Sequence, residues 1–251
     1  MRYKSLGPVS FIAEWIEPNW IEQLDRAQID GILIAAEAAL ASGAKVDLGP
    51  LGFWKAVNAV KKQPEMVEIF ADRIGQIDRQ AFERWALLKL PAWLGNTLAV
   101  AASAAGSALI TWSAGQDERV HGLGLLVGTV IVLTATHSLA HWLVARLQGM
   151  RVIYWFVGTV RRPTPGIKVD YATYVRTPAR RRAWMHASGA IVSKLVPLVG
   201  LGVGWAMEAP SWALIVLGLL AVGEIVTDVL WSTKSSDWKK FNREMALARV
   251  G

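Results

Sequence analysis

The chain has 251 residues, 53% of them hydrophobic, a mean hydropathy of +0.31 and a formal net charge of +7. Its apolar residues gather after residue 91 and its excess Lys/Arg sit beside them, which points to membrane orientation rather than to nucleic acid. The absence of cysteine excludes disulfides, thiolate metal sites and cysteine nucleophiles.

Residues 1–91 carry 11 Lys/Arg and 12 Asp/Glu and read as a soluble helical N-terminal domain. This part shows no basic face interleaved with aromatics, so no nucleic-acid partner is expected. The opening MRYKSLGPVSFIAEW lacks an apolar core followed by a small-residue cleavage site, so no signal peptide is expected. Residues 18–42 have apolar positions at helical spacing and stop at Gly43. VDLGPLGF, 46–53, is a turn-rich connection, and 54–62 is a short helix. Residues 64–90 open on Pro64 and continue as an amphipathic helix through Phe70, Ile74, Ile77, Phe82 and Trp85.

Four spans follow, at about 92–114, 121–146, 184–206 and 211–233. Each is near the ~20 residues that cross a hydrocarbon core. Ala, Gly and Ser dominate the first, which favours close helix packing. Lys194 and Pro197 interrupt the third. Trp93, Trp112, Trp142, Trp184, Trp205, Trp212 and Trp231 fall near span ends, as an interfacial belt would. The run VIYWFVGTV, 152–160, is too short to span and reads as a strand, a re-entrant segment or an interfacial anchor. The expected class is therefore an all-α polytopic membrane protein with one short strand-like segment and a soluble helical front.

Segment 147–183 holds eight Lys/Arg and one acid, and the tail 234–251 holds five Lys/Arg and two acids. The short connections 115–120 and 207–210 carry only Asp117, Glu118, Arg119 and Glu208. The positive-inside rule then puts the N-terminal domain, the basic segment and the tail on the cytoplasmic side, with the plasma membrane as the expected location. The basic segment would also attract anionic lipid headgroups.

Ionisable groups inside spans are costly and mark function by default. His137 and His141 sit four apart on the second span, Glu224 and Asp228 four apart on the fourth, and Lys194 midway along the third. Counted from the outer ends at ~1.5 Å per residue, His137 lies ~24 Å deep, His141 ~30 Å and Asp228 ~26 Å. Two histidines at i, i+4 and a carboxylate from another helix form a zinc-competent set with an open fourth position. By spacing alone, hydrogen bonding of the histidines to Ser, Thr or backbone groups is the commoner explanation of such a pair, and depth matching with Asp228 favours the metal set. For Lys194 and Glu224 a mutual ion pair is expected.

From residue 137 the chain reads HSLAHWLVARLQGMRVIYWFVGTV, RRPTPG, TPARRRAWMHASGAIVSKLVP and TDVLWS. Over about 134–233 this layout resembles the core of the site-2 protease family of intramembrane zinc metalloproteases, with HSLAH in place of HExxH. The resemblance implies His137, His141 and Asp228 as metal ligands, possible zinc, and 152–160 as a membrane-associated strand. It also implies recognition of other proteins' transmembrane helices. The family's catalytic Glu is replaced by Ser138, whose hydroxyl is no general base at neutral pH. The family's Leu-Asp-Gly context is Thr-Asp-Val here, and its mid-span Asn is met by Ser193 or Lys194. Glu224 is a weak candidate for a replacement base. The expectation is a metalloprotease-like membrane protein that has lost ordinary proteolysis. A membrane scaffold or accessory subunit is the alternative, and a haem carrier using His186, or a transporter, ranks lower.

Overall fold

The computed structural model describes residues 24–159, 162–230 and 236–249, without the side chains of 162–164 and 228–230. The N-terminal reading, including the start of the helix expected from residue 18, lies partly outside these residues, as do Arg161 and Trp231. Among the described residues the fold is mostly helical, and a small antiparallel sheet is added to the expected all-α picture.

The front consists of α1 (Arg26–Ala41), α2 (Phe53–Val60) and α3 (Pro64–Trp85). Asp25 caps α1 in a reciprocal box with Gln28, which satisfies two backbone donors that the first turn leaves open. Ile29, Leu33, Phe53, Val57, Val60, Phe70 and Ile74 form its core, all essentially removed from solvent. Of the amphipathic stripe expected in 64–90, Phe70, Ile74 and Ile77 pack between helices, while Phe82 and Trp85 meet Tyr154 and Phe156 of the following sheet. The helix ends at Trp85, not near residue 90, because the chain leaves it to join a sheet. The Leu87 amide donates to Val157 and Gly158 carbonyls, and β1 (Leu88–Pro91) continues that ladder.

The run 152–160 resolves as β2 (Val152–Thr159), pairing antiparallel with β1 and with β3 (Arg162–Val169) in the order β1-β2-β3. Pro91, Pro163 and Pro165 all fall on the outer strands, where proline is tolerated in a sheet. Trp155 of β2 donates to Asn96 at 2.9 Å, fixing the sheet against the helix that follows β1.

Among the described residues, three helices are long and apolar enough to cross a membrane: α4 (Ala92–Ser113), α5 (Glu118–Leu147) and α7 (Ala179–Ala206). A short helix, α6 (Tyr171–Arg176), precedes α7. The helix α8 (Ser211–Leu230) is apolar over its described part, Ser211–Thr227. Leu98, Val100, Val199, Ile215 and Leu219 are exposed on these helices, as lipid-facing side chains would be. Helices α4 and α5 approach closely where Gly106 and Gly128 face each other: a Cβ on Gly128 would lie 2.6 Å from the Gly106 carbonyl oxygen.

The tail forms α9 (Asp237–Leu247), opened by Ser236 and packed along α7. Trp184 of α7 and Trp238 of α9 both contact the Phe241 ring. The front docks on the basic segment through opposite charges. Arg176 forms a two-pronged pair with Asp72, at 2.8 and 2.7 Å, and Lys168 meets Asp78 at 2.5 Å. Part of the charge expected to face lipid headgroups is therefore spent inside the protein.

Candidate metal centre

His137 and His141 lie on the same face of α5, their rings 4.8 Å apart and nearly perpendicular. The carboxylate that meets them belongs to Asp237, the first residue of α9. Its Oδ2 lies 3.0 Å from His141 Nε2 and 3.4 Å from His137 Nε2. The three ligand atoms all fall within 4.8 Å of one another. Tetrahedral zinc with bonds of ~2.0–2.1 Å separates its ligand atoms by ~3.4 Å, so the imidazole–carboxylate spacings suit it, while the two Nε2 atoms, up to 4.8 Å apart, would have to draw together on binding.

The outer ring nitrogens are engaged as well. His141 Nδ1 lies 2.7 Å from the Met185 carbonyl oxygen, and His137 Nδ1 lies 2.8 Å from Ser193 Oγ. A carbonyl only accepts, so His141 Nδ1 must carry the proton that it donates. In the neutral ring, Nε2 then presents a lone pair to the Asp237 carboxylate. Two acceptors at 3.0 Å repel unless a proton or a metal ion lies between them. Metal-binding histidines are held by this kind of outer hydrogen bond, so the donor set fits a divalent ion.

The second carboxylate oxygen of Asp237 accepts from Lys240 Nζ at 3.0 Å, which leaves Oδ2 to the histidines. Burial alone would raise the Asp237 carboxyl, but with a proton on each Nε2 the hydrogen bonds from His137 and His141, together with the Lys240 charge, outweigh it and hold it well below the usual carboxylate range. The space at the cluster depends on Gly189 of α7. A Cβ there would stand 2.2 Å from His141 Nε2 and 2.8 Å from His137 Cε1.

The expected ligands are thus brought together in part. His137 and His141 converge with Asp237, while the side chain of Asp228 on α8 lies outside the described residues. Glu224 is half-buried on α8 and is not part of the cluster. The expected Lys194–Glu224 ion pair is not formed among the described residues; Lys194 donates to the Ala190 carbonyl of its own helix at 2.9 Å. His186, a haem ligand in the lowest-ranked reading, instead shares a hydrogen bond with the Tyr174 hydroxyl at 2.9 Å. Ser138, between the two histidines in sequence, is buried.

Sequence reasoning missed Asp237 because it sought the third ligand within a span. The available signal lay in the tail, whose two acids, Asp237 and Glu244, are seven apart and share one helix face. No protein-family model, no curated protein and no solved structure matches the chain.

Proposed function

We propose that this is an integral membrane protein of four spans that holds zinc through His137, His141 and Asp237, in an architecture like that of the site-2 proteases but without their proteolysis. The observation that carries this reading is the convergence of two Nε2 atoms on one carboxylate oxygen, with both Nδ1 atoms engaged on the outside. Ser193 and Gly189 stand in the third span beside the histidines, where the resemblance expects a Gly-containing span to support the site. Bound zinc would supply a Lewis acid able to polarise a carbonyl oxygen.

Ser138 argues against peptide hydrolysis. A serine hydroxyl is not ionised near neutral pH and takes no proton from water there. An inactive protease fold can still bind the transmembrane helices of other proteins, and that is the partner class proposed here.

The four-span count is supported by parity. Lys61 of the front bonds Glu244 of the tail at 2.8 Å, so the chain crosses an even number of times between them. Likewise β1 pairs with β2 across α4 and α5, so those two helices form one out-and-back pair. The helix α8 then completes the return of α7. The basic segment and tail share that side, which the positive-inside rule assigns to the cytoplasm of a plasma-membrane protein.

The test is a purified full-length sample, assayed for zinc and for cleavage of a membrane-inserted peptide. One zinc per chain and no turnover are expected. Turnover abolished by Asp237→Ala would overturn the inactive reading, and a zinc-free sample would overturn the metal reading.

A further inference from the structure

Glu244 is a second acid on α9 and is fully buried. Its carboxylate accepts from Lys61 Nζ at 2.8 Å, from Arg182 Nε at 2.7 Å and from the Tyr174 hydroxyl at 3.0 Å. Arg182 is itself held by the Val175 and Thr177 carbonyls, at 3.2 and 2.5 Å. These partners come from three places. Lys61 follows α2 in the front, Tyr174 lies on α6, and Arg182 opens α7.

Asp237 lies seven residues earlier on the same helix, two turns or ~10 Å along its axis. Both acids therefore lie on one face of α9, Glu244 held by Lys61, Arg182 and Tyr174, and Asp237 by Lys240 on one oxygen with the histidines at the other. An isolated 11-residue helix is marginal in water, so α9 depends on its anchors to hold its shape. Removing Lys61 would leave a buried carboxylate with one cation fewer and loosen the end opposite Asp237.

We infer that Glu244 is a positioning residue for Asp237, and that through Lys61 the docked front of the chain sets the zinc affinity of the His137–His141–Asp237 site. The inference rests on the metal reading above. Binding linkage makes the coupling reciprocal: whatever tightens zinc through docking must tighten docking through zinc by the same factor. The helix α9 also touches α7 through Phe241 and Trp184. If that contact alone fixed Asp237, Lys61 would not matter to zinc, so the two cases are separable.

The experiment uses the full chain in detergent and measures zinc affinity by chelator competition, for wild type, Lys61→Met, Lys61→Arg, Glu244→Gln and Asp237→Asn. Coupling between two separate sites is typically worth about 5–150-fold in affinity, so Lys61→Met and Glu244→Gln, which touch none of the three ligands, should weaken zinc at least ~5-fold. Lys61→Arg keeps a cation and should stay within about threefold of wild type. The natural absence of cysteine allows spin labels at Lys55→Cys and Asn242→Cys as a second readout. Their distance distribution should be narrow in wild type and Lys61→Arg, broad in Lys61→Met, and narrower again when zinc is added to wild type.

Wild-type zinc affinity retained in Lys61→Met would overturn this inference alone. So would an unchanged label distance in a folded Lys61→Met protein. A wild type that binds no zinc would overturn both this inference and the metal reading. If Lys61→Met fails to fold, Glu244→Gln decides on the same criteria, and the effect of zinc on the wild-type label distance decides without any variant of the cluster.

Discussion

Gly189 occupies a position where no side chain fits, because its would-be Cβ falls within 2.2 Å of the His141 ring. Gly189→Ala is expected to lower zinc affinity by more than tenfold, as measured by chelator competition. It should also cost about 1–3 kcal/mol of stability, the usual range for overpacking a well-filled site. The histidine pair itself was legible from its i, i+4 spacing in an apolar span. Asp237 was not, because a carboxylate beside lysines in a polar tail looks like any solvated charge until the tail folds back. Ser138 was legible for what it lacks, since its chemistry holds whatever surrounds it.

Glu244 carries a pH prediction. Burial alone would raise its pKa, but the Lys61 and Arg182 charges outweigh burial and hold it down at about 2. A carboxyl depressed in the folded state adds stability that is present above its unfolded value, near 4.3, and lost as pH falls toward 2. Lys61 works in the other direction. Burial brings it down to about 8 despite Glu244, so the cost of keeping it charged is present below pH 8 and fades as pH rises toward 10.4. The pair is thus worth less than the acid alone would indicate. Breaking it still costs, because Glu244 keeps only Arg182 as a cation: Lys61→Met should destabilise by about 1–3 kcal/mol. Denaturation in detergent between pH 2 and 5 should show a steep loss of stability in wild type that Glu244→Gln flattens. Equal slopes would contradict this assignment.

The helices were largely legible because length and apolar content announce them. Ala92–Ser113, Glu118–Leu147 and Ala179–Ala206 match the expected spans to within a few residues at each end. The strands were less so. An apolar, β-branched run of nine residues fits several structures, and its partner β1 hid in what looked like the last turns of a helix. Only pairing across two spans, Leu88 opposite Val157 and Pro91 opposite Tyr154, settles both. The helix α9 was obscured for a related reason, since its partners lie more than fifty residues away. Close packing of α4 on α5 yields a further prediction: Gly128→Val must push against Ile110 and the Gly106 carbonyl, and should cost about 1–3 kcal/mol. Thermal denaturation in detergent reads it, and an unchanged melting temperature would contradict the close approach.

Among the described residues, ion pairs join the parts of the chain beside the helices, and apolar clusters such as Leu125, Ala209, Ala213 and Leu217 join the helices themselves. The front, the sheet, α6 and α9 meet through Arg176–Asp72, Lys168–Asp78 and the Glu244 cluster. The His137–His141–Asp237 cluster joins α5 to α9, so the proposed site belongs to both parts. Charge asymmetry in the sequence foretold that the front, the basic segment and the tail share a side. It did not foretell that their charges pair with one another, because contacts remote in sequence leave no local pattern. Single cysteines introduced at Lys45, Gln116 and Arg249 should divide accordingly. An impermeant thiol reagent added to intact cells should label Gln116→Cys alone, and the other two only after permeabilisation. Labelling of Gln116→Cys and Arg249→Cys from the same side would contradict the four-span path.

The account stands most directly on the identity of the third ligand. Zinc content per purified chain, compared across wild type, His141→Ala, Asp237→Asn and Asp228→Asn, decides it. One zinc in wild type and Asp228→Asn, with loss in His141→Ala and Asp237→Asn, is the predicted result. Zinc retained in Asp237→Asn, or absent from wild type, would contradict it.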